Sequence, residues 1–502
     1  MKLKIEKALY MAQGIVLTAI FALFGCSAPD MTHINNGSDV MVDADEGGNQ
    51  TVAVTAVVES SDSVDVIALP SDAELDAELT QLIAQAGITP LDFGEPQDPT
   101  AVALGKALFF DKELSGSRDI SCATCHHPQH SSHDDLSLSI GVGGTGLGPD
   151  RELGEARPLI PRNAPEIFNR GAADVHTMFW DGRVEVRPDG SIESPADEEL
   201  PEGLNNLVAV QAMFPVTSRA EMRGRSGDQD VNGNLNEIAA LSDEDFTEIW
   251  DAVMKRILAI PEYVTWFNEV YPEIATEELH YVQAANALAA FQIDAFSFDD
   301  SPWDQYVAGD MSSLSPEAKQ GAILFYGTAG CATCHGGNLL TDQQYYNILA
   351  PQIGPGHRES AGYDVGRARV TDETENAFQF RTPALRNVAL SGPWMHNGAY
   401  RSLEDVIRHH ADPLGMLQSF DTDELTQGLE GSVRNDLATI VLMSETLSPE
   451  IEAVPELTDG EIDYLIAFLS ALTSAESQDL SYLVPESVPS GLPVDVSRGD
   501  GY

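Results

Sequence analysis

The chain has 502 residues, enough for two or three domains, and an apolar content of 43%, ordinary for a protein with a buried core. Its 80 acidic residues against 27 basic ones give a net charge of −53. A surface that acidic repels phosphate backbones and anionic headgroups, which argues against nucleic acid and bare membrane as partners. It suits solubility in a salty medium and leaves room for a basic redox partner.

The N-terminus reads as an export signal over residues 1–25: Lys2, Lys4 and Lys7, then an apolar run from Gly14 to Phe24. The run ends in Leu23-Phe24-Gly25-Cys26, which resembles a bacterial lipobox. Acylation of Cys26 is therefore expected, and Ser27 after it points to the outer membrane of a Gram-negative cell, facing the periplasm. Residues 26–70 are rich in Ser, Thr, Asp, Gly and Val without a period, as in a flexible acidic tether. Helical patterning begins at Ser71-Asp72-Ala73-Glu74, which has the form of a capping box.

Beyond Cys26, four cysteines form two pairs inside Cys122-Ala-Thr-Cys125-His126 and Cys331-Ala-Thr-Cys334-His335. Each is C-x-x-C-H, the attachment signature of a c-type haem. Two thiols at this spacing add to the two vinyl groups of one haem, and the adjacent His becomes the proximal iron ligand. A pair of disulfides is the alternative for cysteines in an oxidising compartment, but it leaves both histidines unexplained. Further along, Glu278–Phe298 and Asp459–Leu472 read as helices. Ser402-Leu403-Glu404-Asp405 opens another, closed by Pro413. Leu403, Val406, Ile407 and His410 share one face of it at i, i+3, i+4, i+7, with His409 turned about 100° away. The tail, residues 476–502, carries Pro485, Pro489 and Pro493 and is expected to be extended.

Longer stretches resemble the bacterial di-haem cytochrome c peroxidases and the related enzymes that mature methylamine dehydrogenase. They are Leu104–Asp111, Arg162-Asn163-Ala164-Pro165 and Phe179-Trp180-Asp181-Gly182-Arg183, then Arg381–Val388 and Pro393-Trp394-Met395-His396-Asn397-Gly398. The resemblance implies a mainly α fold: two cytochrome c-like haem domains facing each other, with long loops. Residues 71–310 would form an N-terminal peroxidatic domain and 311–475 a C-terminal electron-transfer domain. A segment over 184–210, with Arg187-Pro188-Asp189-Gly190 as a turn, reads as an added small hairpin.

The resemblance also assigns roles. Where the peroxidases carry a distal His, this chain has Val142, which cannot bind iron, so the first haem is expected to be five-coordinate and open. His127, His130 and His133 are expected at the surface or beside the haem propionates. Gln211 and Glu221 match the distal pair, with Glu221 as acid–base catalyst, and Trp180 matches the relay between haems. His410 matches the distal ligand of the second haem, pairing with His335, and Met416 is the alternative. Asn163 and the carbonyls of Ser391 and Pro393 match an interdomain calcium site. The implied function is reduction of hydrogen peroxide to water with electrons from a small c-type cytochrome or copper protein. The alternative is a peroxide-driven oxidase that modifies a partner protein or small organic molecule through a stored high-valent di-haem state. A homodimer is the assembly to test.

Overall fold

The computed structural model describes residues 70–357, 360–426 and 428–497. The expectations for residues 1–25, for Cys26 and for the tether over 26–70 lie outside the described residues, apart from Pro70. No helix among the described residues is long and apolar enough to cross a membrane.

Two helix crossings organise the chain. In the first, Pro99–Phe110 packs on Tyr281–Ala295. The helices meet at Gly105, where a side-chain Cβ would collide with the carbonyl oxygen of Ala287. In the second, Pro316–Tyr326 packs on Asp459–Ser470. Here a Cβ at Gly321 would collide with the carbonyl oxygen of Tyr464. Both crossings use glycine for close backbone approach. The echo of Gly105-Lys-Ala-Leu-Phe-Phe110 in Gly321-Ala-Ile-Leu-Phe-Tyr326 is therefore a structural repeat, as is the cysteine motif that follows each.

A separate apolar core surrounds each crossing. The first holds Leu104, Leu108, Phe109, Phe291 and Phe296, and the second Ala322, Phe325, Leu465 and Phe468. The division at residue 310 needs correction. The helix Asp72–Ala86 starts at the expected capping box, Ser71 donating to Glu74. Its buried Leu75 and Leu79 pack with Trp303 and Tyr306 in the second core, not the first. Asp76 fixes it there, accepting from Tyr306 and pairing with Lys319 at 2.8 Å. An apolar stripe at i, i+4 is set by the helix period, but which core it meets is a tertiary choice.

The tail crosses the other way. It is extended apart from short turns at Glu476–Gln478 and Ser481–Leu483, and it buries Leu480, Leu483 and Val488 in the first core. The added hairpin is present. Strands β1 (Thr177–Met178), β2 (Val184–Val186) and β3 (Ile192–Glu193) form an antiparallel sheet, with Gly190 at φ +82° in the expected turn.

Candidate functional site

The first cavity has a volume of about 650 Å³ and is lined by Cys122, Cys125 and His126 together with Gln211 and Glu221. Ser121 opens the short helix Cys122–Cys125. His126 follows it and donates from Nδ1 to the carbonyl of Ser132 at 3.2 Å, which leaves Nε2 for a metal. Burial pushes His126 down to about 4, so the ring is neutral, the form that ligates. Gln211 lies near the end of the helix Leu207–Ala212, capped by Asn206. Glu221 sits in a π-helical turn, Arg219–Arg223, and its own N–H donates to the Ser218 hydroxyl that caps the turn. Such turns are rare and gather at functional sites. Burial raises the Glu221 carboxyl above the usual carboxylate value, against the pull of Arg183 and a hydrogen bond from Ser218.

Val142 is buried but does not line this cavity. Its N–H donates to the carbonyl of Glu221 at 2.8 Å, so the Ser139–Val142 stretch braces the Glu221 turn. The expectation for His127, His130 and His133 is corrected: His127 and His133 are buried, and none of the three lines the cavity. His127 Nε2 bonds the carbonyl of Asp495, His133 Nε2 that of Leu390, and His130 pairs with Asp135. They tie loops together. Among the described residues, the other histidine at the cavity is His357, which arrives from the second domain and accepts at Nε2 from Arg369 at 3.1 Å. Tyr281 also lines the cavity and keeps a buried hydroxyl without a protein partner. The added segment 184–210 contributes Pro195 and Val208.

The second cavity, about 220 Å³, is lined by Cys331, Cys334, His335 and His410. The helix Leu403–Ala411 begins at Ser402, whose hydroxyl accepts from Asp405 N–H at 3.0 Å, and ends before Pro413. Leu403, Val406, Ile407 and His410 all face the cavity. His335 donates from Nδ1 to Leu340 and His410 from Nδ1 to Val406, leaving both Nε2 atoms for a metal. Their ring centroids are 6.4 Å apart. An iron bonded to two opposed imidazoles at about 2 Å each separates the centroids by roughly 6 Å, so the pair fits. His409 has both nitrogens engaged, by the Tyr400 hydroxyl and the Ile348 carbonyl. Met416 packs in a satellite cluster away from the cavity.

Trp180 lines both cavities and donates to the carbonyl of Asn163 at 3.0 Å. Phe179 before it adopts φ +67°, an unusual conformation for a bulky residue. It is held by Arg183 stacked 3.6 Å from its ring and by Arg381, which donates to its carbonyl. Arg381 and Glu166 also line both cavities. Arg381 is wholly buried, and burial followed by the charge of Arg170 pulls it down to about 9. A buried guanidinium at both cavities suits the carboxylates of haem propionates. Arg381 opens the stretch Arg381–Val388, whose resemblance carries no role for it. Its signal was an Arg in an apolar stretch just ahead of Pro383. Asn163, Ser391 and Pro393 all line the second cavity, and the Asn163 side-chain amide donates to the Leu136 carbonyl at 2.7 Å.

Each cavity thus presents two thiols and a neutral imidazole whose Nδ1 is bonded to a backbone carbonyl, the donor set a c-type haem requires. Residues 99–312 match the di-haem cytochrome c peroxidase family. The chain belongs to that family, and is an oxidoreductase acting on peroxide that carries two c-type haems. It is 32% identical over 318 residues to methylamine utilization protein MauG of Methylorubrum extorquens, covering 63% of this chain and 69% of that one. It is 30% identical over 314 residues to cytochrome c551 peroxidase of Pseudomonas aeruginosa, covering 62% and 72%. Among solved structures, a MauG-like protein associated with microbial copper homeostasis shares the fold, with a TM-score of 0.52 and 23% identity over 78% of this chain and 94% of that one.

Proposed function

We propose that the protein reduces hydrogen peroxide to water at the first haem, with electrons from a small c-type cytochrome or copper protein that arrive through the second haem. The observation that carries this reading is the convergence of Glu221, Gln211 and His126 on one cavity. When bound, the haem supplies an iron that takes up peroxide and passes it electrons. The residues supply the rest. The Gln211 amide orients peroxide. The Glu221 carboxylate takes the proton from the oxygen nearer the haem and returns it to the farther one, which leaves as water. Two electrons and two protons complete the conversion of one peroxide to two waters. A carboxyl raised by burial holds its proton long enough to return it.

In this reading His335 and His410 would both hold the iron of the second haem, and Trp180 would carry electrons between the two haems. Asn163 with the carbonyls of Ser391 and Pro393 would hold a calcium ion beside that path, since neutral oxygens suit a hard cation. Export to the periplasm and an acyl anchor on Cys26 complete the proposal. A second reading, a peroxide-driven oxidase of a partner protein or small molecule, is favoured by the similar identity to a MauG protein and to a peroxidase. Steady turnover with peroxide and reduced cytochrome c tests the first. If the diferric protein consumes peroxide while the reduced cytochrome stays untouched, the second replaces it.

A further inference from the structure

The two attachment motifs have the same five residues and opposite surroundings. In the first, Ala123 and Thr124 are 0% exposed. In the second, Ala332 is half-buried and Thr333 is exposed. The thiols of each motif would bind one edge of their haem, so chain laid over the motif lengthens the approach to that edge from outside. The difference is context, since Cys-Ala-Thr-Cys-His is common to both.

Ala123 packs into the first core, and the tail fastens over the motif at Thr124. The Asp495 carboxylate accepts from the Thr124 hydroxyl at 2.6 Å, inside the motif, and pairs with Lys112 at 2.6 Å through its other oxygen. The Asp495 carbonyl accepts from His127 Nε2 at 3.1 Å, and the Ser497 N–H donates to Gln129 at 3.0 Å. Upstream, the Ser490 hydroxyl donates to Asp111 at 2.7 Å, and Val488 is buried in the first core. The strap is thus fastened at successive points along its length. The local sequence allows it: His127 and Pro128 follow the first motif and give the strap a ring nitrogen to bond. Gly336 and Gly337 follow the second and offer no side chain.

We infer that Asp495 is a positioning residue whose tail closes the edge of the first haem to outside electron donors, so that electrons reach that haem only through the second. The inference rests on the two-haem reading above and adds a determinant of where electrons enter. Electron transfer between molecules falls steeply with the separation of the reacting edges. One layer of chain over one haem therefore selects the other. A tail that only staples the fold would alter stability and leave the route unchanged.

The test uses diferric holoprotein without peroxide, mixed rapidly with hexaammineruthenium(II), a small outer-sphere reductant, while the bands of the high-spin and low-spin haems are followed separately. In the unaltered protein the first haem is expected to be reduced after the second, at a rate that levels off as reductant is raised. With residues 489–502 removed, that rate should double whenever reductant is doubled. Asp495→Ala and Thr124→Val should move it the same way, and Asp495→Glu, which keeps the carboxylate, should restore the plateau. If the truncated protein fails to fold, the Asp495 series decides alone. A plateau that persists in Asp495→Ala, or its absence from the unaltered protein, overturns the inference. Hydrogen exchange supplies a readout independent of haem spectra: amides 122–126 should gain exposure in Asp495→Ala, those of 331–335 should not, and equal behaviour also overturns it. Failure of the peroxide reading would show in turnover with peroxide, which this experiment does not contain.

Discussion

The two haem regions share their beginnings. Each has a helix crossing at a glycine, then Cys-Ala-Thr-Cys-His, then a histidine whose Nδ1 is held by a carbonyl, of Ser132 in one and Leu340 in the other. They diverge on the opposite side of the cavity. The first faces a carboxylate and an amide, Glu221 on an irregular π-helical turn and Gln211 near the end of a short helix. The second faces His410, on a regular helix. In the reading proposed here, a common scaffold would hold each iron, and the facing element would decide whether that iron can exchange ligands. Regular helix suits a permanent ligand, while an irregular turn braced by Val142 suits a group that must move a proton.

The comparison can be broken most directly at Glu221. Glu221→Gln keeps the shape and removes the proton shuttle. It should lower kcat/KM for peroxide by about 10²–10⁴ while the second haem keeps its low-spin spectrum. A loss in both haems would mean that the turn is structural. The pH profile sharpens the point. The Glu221 pKa is raised, and the base form must take the first proton, so activity should fall as pH drops through a value above the ordinary carboxylate 4.5. That limb should vanish in Glu221→Gln, measured from pH 4 to 8 by initial rates.

The second site is probed by His410→Met. A thioether favours ferrous iron, so the potential of the second haem should rise by a sizeable part of the roughly 0.8 V span that axial ligands command. Potentiometric titration reads it, and the first haem should move little. A smaller effect is expected at the shared scaffold. Gly105→Ala and Gly321→Ala each push a methyl into a backbone carbonyl, at a cost of about 1–3 kcal/mol in denaturant unfolding. Equal costs would support the structural repeat, and a large difference would break it.

Much of this was legible in the chain. The haem motifs are local, so spacing alone reveals them. The face of Leu403, Val406, Ile407 and His410 follows from the helix period, and the helix does turn that face to the second cavity. What was not legible is choice of partner. Leu75 and Leu79 specify a stripe, not which core receives it. His127 and His133 look exposed beside a polar loop and are buried because distant carbonyls, of Asp495 and Leu390, come to meet them. His357 and Arg381 reach the first cavity from the second half of the chain; no local pattern marks His357, and Arg381 is marked only by its apolar stretch ahead of Pro383. The glycine repeat was present in the sequence and hidden by its unequal distance to the cysteine motif, from Gly105 to Cys122 and from Gly321 to Cys331.

The finest test separates neighbours. His409 and His410 are adjacent, and both are buried against the second haem's domain. His410 lines the cavity with its Nδ1 bonded to the Val406 carbonyl, whereas His409 bonds the Tyr400 hydroxyl and the Ile348 carbonyl, each at 2.8 Å. Burial also pushes His409 down to about 3, so it is a neutral structural link. His409→Leu therefore leaves two buried polar groups unpaired and should cost about 1–3 kcal/mol of stability without altering the low-spin signal. His410→Leu should cost less in folding and convert the second haem to high spin. If the spin change follows His409 instead, the helix is rotated by one residue from the orientation described. The division of labour between the two sites would then have to be redrawn around Tyr400.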